Sequence, residues 1–444
     1  MHPIALACVP LTLAFAAALP AQDAPQIVSL SPANGAVDVD PGIKTLTVVF
    51  DRAMGGGRSV VGGGPNFPTL KEVRWKNPKT FEIDVELQPD HDYAMGLNSQ
   101  TFTNFRSTKG VMLEPVRWSF TTLPAELPDQ KNQKQRNKNA WKAVQKVLAA
   151  NYSYYDRVVD DWKKVTKAAE KDVLAAPTDA AWARAVAGML APCEDLHMSL
   201  RLGERFFGTA SRAIDPLFRR DQIGNYVDVE PAGNDNALVG RTEDGIGYLM
   251  IASWTASVDL DAVEQALARL TDCKAMVIDA RPNAGGGEDL ALRIAAWFVD
   301  GRKVYAKNRY RVRAGDNGFG PVLDREIVGN KDTEKQIRGP IALLTSRYCM
   351  SSNEAFVLMI RQAPDCVQIG QPTYGSSGNP KPHDLPNGAT IVLPSWQAMR
   401  PDGTCFEGEG IAPDVTVEAD AATLKSRDPI LEKALELLRD KIGK

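Results

Sequence analysis

The spacing of apolar positions changes twice along this chain. From about residue 26 to 123 apolar and polar residues alternate in short runs. Examples are Leu46-Thr47-Val48-Val49-Phe50, Phe81-Glu82-Ile83-Asp84-Val85 and Val116-Arg117-Trp118-Ser119-Phe120. Gly, Pro, Asn or Asp lie between the runs, so the period of two predicts half-buried strands joined by turns, packed as an all-β sandwich. Residues 124–139 are polar and charged and read as a linker. The period then lengthens. Trp141, Val144, Val147 and Leu148, and later Trp182, Ala185, Val186, Met189 and Leu190, recur at helical spacing and predict a helical subdomain over 140–200.

From Gly245 onward, continuous apolar runs alternate with amphipathic ones. Strands are predicted at Ile246 to Ile251, Ala275 to Ile278 and Ile341 to Thr345. Helices are predicted at Leu260 to Leu270, Leu290 to Val299 and after Ser351. This order predicts an α/β core over 201–424 with at least partly parallel strands. A final helix, Asp428 to Lys441, falls in the closing segment 425–444.

Composition narrows the setting. The 444 residues are 44% hydrophobic and 24% charged with a net charge of −3, which gives no electrostatic case for a nucleic-acid partner. Ile4 to Ala18 are almost wholly apolar and are followed by Leu19-Pro20-Ala21-Gln22. That run is too short for a membrane span and reads as a signal peptide over 1–21, so the chain is expected to be exported, periplasmic or extracellular. No later segment is apolar enough to span a bilayer. Export permits disulfides, and beyond that segment lie Cys193, Cys273, Cys349, Cys366 and Cys405. No CxxC pair is present, so a zinc site is not expected, and the candidate chemistry of this chain requires no metal and no cofactor. Cys273 and Cys366 each precede an apolar run and would come within bonding range if those strands were neighbours; free, buried cysteines are the alternative.

Two strand-to-helix junctions carry residues suited to chemistry. At the first, Ser351-Ser352-Asn353-Glu354 opens an apolar helix. A serine there lies beside free backbone N–H groups and the positive end of the helix dipole, where an acyl-transfer nucleophile gains most. Ser-x-x-Glu is also a capping box, in which the serine only closes the helix end. At the second, Asp279-Ala280-Arg281-Pro282-Asn283-Ala284-Gly285-Gly286-Gly287 follows a buried strand. Its glycines allow close backbone approach and expose N–H groups, but no Gly-Lys-Ser/Thr or G-x-G-x-x-G phosphate loop is present. An oxyanion hole and a plain flexible turn both remain open.

Together the motifs resemble a known family. Asp279-x-Arg281-x-Asn283-x-Gly285-Gly286, Ser351-Ser352-Asn353-Glu354, Gly370-Gln371-Pro372-Thr373-Tyr374-Gly375 and Gly410-Ile411-Ala412-Pro413-Asp414 are similar, in order and spacing, to the C-terminal-processing and tricorn-core serine peptidases. The N-terminal segment 26–123 resembles a bacterial Ig-like domain of surface-layer type through Ser31-Pro32-Ala33-Asn34-Gly35-Ala36, Val48 to Met54 and the closing Phe120-Thr121-Thr122. The resemblances imply a multidomain chain: an all-β Ig-like sandwich, a helical subdomain and a crotonase-like α/β core. They imply Ser351 as nucleophile, with an oxyanion hole from the N–H of Ser352 and that of Gly285 or Gly286. One branch of the family uses a lysine directly after the Thr-x-Gly step; here that residue is Ser376, and the nearest lysine, Lys381, is displaced. The tricorn-like branch uses a histidine from the helical subdomain. His197, in Glu194-Asp195-Leu196-His197, matches that element, although Leu196 stands where a small polar residue is usual. A histidine titrating near neutrality suits a serine hydroxyl. The resemblance makes Glu407 the residue that orients His197, with Glu409 as runner-up. Trp254 is a candidate for the substrate cleft, a core tryptophan being the alternative. Residues 198–244 are too few for the PDZ domain often inserted there.

The expected function is therefore an exported serine peptidase acting on a peptide or protein, with an Ig-like domain that contacts a surface or other domains. The competing readings are a catalytically inactive binding protein that keeps the fold, and a crotonase-type acyl-CoA enzyme. Export and the serine–glutamate helix start argue against the latter.

Overall fold

The computed structural model describes residues 24–99, 102–210, 214–315 and 318–443; the expected signal peptide lies outside them. The chain divides into two compact units between Pro128 and Asp129. The first is two four-stranded sheets. One runs in the order Ile27–Ser31, Thr45–Phe50, Thr80–Glu86, Thr69–Asn77, and the other Ala36–Val39, Val116–Thr122, Asp92–Leu97, Val60–Val61. The alternation seen in the sequence becomes the two faces of each strand: Leu46, Val48 and Phe50 are buried while Thr45, Thr47 and Val49 are not fully so. Phe50, Phe81 and Phe105 meet in one aromatic cluster at the centre.

The second unit begins with a helix, Gln130–Asn151, capped by Asp129, whose Oδ1 accepts the Asn132 N–H at 2.8 Å. Residues 130–139, read from sequence as linker, are thus its first turns. The reason is that their inward face is polar. Gln133 and Asn137 are buried, bonded to each other, to Asp179 and to the Ala176 carbonyl. A satisfied polar contact leaves no apolar period to read. Helices Trp162–Ala175 and Asp179–Leu190 pack beside it.

The centre of this unit is a seven-stranded sheet whose spatial order equals its chain order: Asp228–Ala232, Asn234–Arg241, Ile246–Ile251, Ala275–Asp279, Ile341–Thr345, Cys366–Gly370, Val415–Thr416. The first three strands are antiparallel, and from Ile246–Ile251 onward neighbours are parallel. Successive residues sort to opposite faces. Met276, Ile278, Ile341 and Leu343 meet helices Leu260–Ala268, Glu288–Ala295 and Ser352–Ile360. Ala275, Val277, Ala342 and Leu344 meet the C-terminal helix Pro429–Ile442. Burial on both faces explains why these strands read as unbroken apolar runs.

Because Ile341–Thr345 lies between the strands that follow Cys273 and begin at Cys366, the two cysteines are not on neighbouring strands. Two strand steps are about 9.5 Å, beyond disulfide reach. All five cysteines among the described residues are free. Among those residues, no helix is long and apolar enough to cross a membrane. A four-stranded sheet (Arg205–Gly208, Ser199–Leu202, Ala389–Pro394, Pro380–Asp384) joins the helical part to the core. The topology has one consequence for chemistry: parallel neighbours Ala275–Asp279 and Ile341–Thr345 end at the same sheet edge, so both strand-to-helix junctions emerge side by side.

Candidate active site

Ser351 is the residue before helix Ser352–Ile360 and has φ 56° and ψ −131°. This left-handed geometry costs a non-glycine residue about 1–3 kcal/mol. Its side chain makes no capping bond to the helix, which removes the capping-box reading. The hydroxyl instead lies 3.0 Å from His197 Nε2. The strain is held in place from several sides. Ser351 N–H donates to the Ser376 carbonyl at 2.8 Å. Asn353, fully buried, donates through Nδ2 to the carbonyls of Ala280 and Asn283, fastening the serine helix to the glycine junction.

Glu354 is turned chiefly toward the 373–376 loop. Fully buried, it accepts from Thr373 Oγ1 at 2.6 Å, Gly375 N–H at 2.7 Å and Ser376 N–H at 3.1 Å. Burial pushes its carboxyl up to about 7 against these donors. Its role is to hold the 373–376 loop under Ser351.

His197 is set by a short turn in which Asp195 Oδ1 accepts the His197 backbone N–H at 2.9 Å. Nδ1 lies 2.8 Å from Ser376 Oγ. The Asp195 carboxylate accepts from Tyr152 O–H at 3.0 Å, and Ser376 helps to lower its pKa. With Nδ1–H donating to Ser376 Oγ, Nε2 carries the lone pair and accepts from the Ser351 hydroxyl. Burial holds the His197 imidazole below its ordinary value, with Asp195 opposing. Burial also pushes the Asp195 carboxyl up, against the bonds it accepts.

Glu407, expected to orient His197, makes no hydrogen bond to the ring among the described residues. Its Oε2 accepts the Ser377 N–H at 2.9 Å, and the Nδ1 position it would occupy is filled by Ser376. Glu409 is largely exposed and pairs with Arg157 at 3.2 Å. Ser376 and Asp195 were not singled out from sequence as the histidine's partners. The available signals were a hydroxyl at the family's lysine position and the aspartate two residues before His197.

At the glycine junction, Gly285 has φ +107°, and a Cβ there would sit 2.8 Å from Ser351 Cβ. Gly286 has φ +138°, and its Cβ would sit 2.0 Å from the Trp254 carbonyl oxygen. No side chain fits at either position. Gly285 N–H is already bonded to Asn283 Oδ1 at 2.8 Å, so it is not the free donor. The N–H groups of Gly286 and Ser352 make no hydrogen bond among the described residues. The Ser352 hydroxyl donates to the Gly286 carbonyl at 2.6 Å and ties these two residues together.

Trp254 is not at a surface: only 1% exposed, it donates Nε1–H to Asn353 Oδ1 at 3.1 Å and packs against Phe356. With both its edge and face occupied it cannot line a cleft. Its backbone brackets the glycines, donating to the Gly285 carbonyl and accepting from Gly287 N–H. The Asp279-x-Arg281 part of the motif is likewise internal. Arg281, fully buried, bonds both Asp279 and Asp428, the cap of the C-terminal helix, and the Leu217 carbonyl. Among the described residues no cluster of His, Cys, Asp or Glu is arranged to hold a metal ion.

Residues 245–417 match peptidase family S41, and residues 21–122 match a bacterial Ig-like domain. The carboxy-terminal processing protease CtpA of Bacillus subtilis is 24% identical over 179 residues, 40% of this chain and 36% of that protein. A probable CtpA-like serine protease of Staphylococcus aureus is 25% identical over 146 residues, 33% of this chain and 27% of that protein. The chain thus spans only about a third of the length of these relatives. Among solved structures, a putative peptidase from Parabacteroides merdae superposes with a TM-score of 0.61 at 24% identity, covering 68% of this chain and 96% of that one. Mature CPAF does so with a TM-score of 0.55 at 12% identity, covering 70% and 98%. The α/β fold is that of these peptidase structures, and the chain carries a peptidase family S41 domain after a bacterial Ig-like domain.

Proposed function

We propose that this protein is an exported serine peptidase that cleaves peptide bonds through an acyl-enzyme on Ser351. The observation that carries the reading is the 3.0 Å approach of His197 Nε2 to Ser351 Oγ at a strained strand-to-helix junction. Nε2 takes the hydroxyl proton as Oγ attacks the carbonyl carbon. The tetrahedral oxyanion is received by the free N–H groups of Ser352 and Gly286, pre-aimed at the head of a helix, where fixed donors are worth most. The imidazolium formed is stabilised through Ser376 by Asp195, and its proton then goes to the leaving amine. Water, activated by the same imidazole, hydrolyses the ester. Ser351 and His197 are the catalytic side chains; Ser376 and Asp195 position the histidine.

The test is covalent labelling. A fluorophosphonate probe is expected to modify the protein at Ser351 and to leave Ser351→Ala unlabelled. Equal labelling of the alanine variant, or no labelling of folded wild-type protein, overturns the assignment.

A further inference from the structure

The nucleophile and one oxyanion donor are also joined by a chain of contacts that takes no part in holding the histidine. Glu288, two residues after Gly286, pairs with Arg325 and accepts the Tyr305 O–H. The Arg325 guanidinium lies over the Trp396 ring, 4.9 Å from its centre. The Trp396 N–H donates to the Gly378 carbonyl at 3.2 Å. Gly378 is two residues past Ser376, whose carbonyl accepts the Ser351 N–H. Glu288, Arg325 and Trp396 thus run from Gly286 on one side to Ser351 on the other.

Arg325 and Trp396 belong to a three-stranded sheet in the order Leu323–Val328, Arg302–Tyr310, Trp396–Met399. Its register sets Arg325 opposite Ala306, Ala398 opposite Asn308 and Trp396 opposite Tyr310, so these residues share one face. Ala306 and Ala398 are buried in the core that also holds Phe356 of the serine helix, whereas Tyr310 and Trp396 are half-buried. Asn308 lies at the step between the two pairs. It is 3% exposed, yet its carboxamide makes no hydrogen bond among the described residues. Its atoms are not among the sealed, unpartnered polar atoms of the interior, so the amide borders open space. A buried amide left without a partner is costly unless a ligand satisfies it.

Charge and hydrogen-bonding capacity say which ligand. Arg325 already has its counter-ion in Glu288, and among the described residues its guanidinium has no other hydrogen-bond partner. A carboxylate would meet a cation that is already paired, and an ammonium group would meet a like charge. Asn308 offers an acceptor and two N–H donors, and Arg325 offers further N–H donors. A carboxamide is neutral and carries the complementary donor and acceptor in one plane. Resting on the peptidase reading above, we infer that Asn308 is the floor of a subsite for the carboxamide side chain, glutamine or asparagine, of the substrate residue beside the cleaved bond. The two amides pair reciprocally, Arg325 donates to the same substrate oxygen, and the Tyr310 and Trp396 rings flank the methylene groups.

The experiment reads a ratio between substrates, so it stands apart from the labelling test and from absolute activity. The wild-type protein digests an equimolar library of acetylated, amidated peptides, and mass spectrometry identifies the residues on either side of each cleaved bond. Glutamine or asparagine is expected at one of those two positions about tenfold more often than methionine, leucine, glutamate or lysine, as one or two added hydrogen bonds imply. Asn308→Leu, close in size and without the amide, is expected to bring this ratio to within about twofold, since only that hydrogen-bonding capacity is lost. Asn308→Ser, smaller and still polar, is expected to do the same and serves should the leucine variant fail to fold, which a thermal melt reveals. Cleavage without the enrichment, enrichment of glutamate, lysine or an apolar residue in its place, or an enrichment that survives in a folded variant overturns the inference. So does fluorophosphonate labelling of Ser351 with no peptide cleaved. Absence of labelling removes the peptidase reading itself, and the subsite with it.

Discussion

Ser376→Ala is the sharpest test of how the histidine is held. The substitution removes the one oxygen among the described residues that lies within hydrogen-bond distance of His197 Nδ1, at 2.8 Å. The next acceptor is Asp195 Oδ1, 3.9 Å from Nδ1 and out of hydrogen-bond range. During acylation Nδ1–H belongs to an imidazolium, so the lost bond is one to a charged group, worth about 1.5–3 kcal/mol. At 1.36 kcal/mol per decade this is roughly a 10- to 150-fold slower acylation. It stays milder than loss of the nucleophile because the Asp195 charge remains close. The measurement is fluorophosphonate inactivation, separated into the limiting rate and the half-saturating concentration. Ser376 is buried and lies behind the histidine, so the loss should fall on the limiting rate and leave half-saturation unchanged. Unfolding by urea serves as a control for a merely structural effect. A limiting rate within twofold of the parent, or a loss confined to half-saturation, refutes the relay.

Three further outcomes are expected. Activity needs neutral His197, and burial lowers its pKa, so the rate should rise with pH along a limb centred below 6.5; a limb at or above that value in a pH–rate profile contradicts the tautomer and burial argument. Gly286→Ala places a Cβ 2.0 Å from the Trp254 carbonyl oxygen at a φ that disfavours side chains. Displacing one oxyanion donor in this way should slow probe labelling by about 100-fold or more, and labelling at the parental rate would exclude Gly286 N–H. Arg281→Met leaves Asp279 and Asp428 buried without their partner and should cost about 3–5 kcal/mol in urea unfolding; a loss below about 1 kcal/mol would show that the cluster does not hold the C-terminal helix.

Much of the architecture was legible because it is written in periodicity. Val48 and Phe50 alternate with polar neighbours because one face of their sheet is buried; Val277 and Ile278 are both apolar because both faces are. The helix at 130–139 was not legible, since Gln133 and Asn137 bury polar atoms against one another rather than apolar surface. At the site, the glycines and the serine announced themselves by lying at strand-to-helix junctions, where backbone geometry demands particular residue types. Trp254 could not be placed, because a tryptophan pattern is the same whether its ring faces Phe356 or solvent.

The sequence by itself determined the order of the strands and helices, the two junctions and the residue types that can occupy them, because these depend on neighbours a few positions apart. Tertiary structure alone decided which group holds His197. Ser376 is 179 residues away from it, and Glu407 and Asp195 are equally acidic in sequence. Only the packing of the 373–376 loop on Glu354 puts the Ser376 hydroxyl against Nδ1 and leaves Glu407 facing a cavity. Hydrogen bonds act over about 3 Å, and no spacing along the chain encodes a distance of that size between residues so far apart.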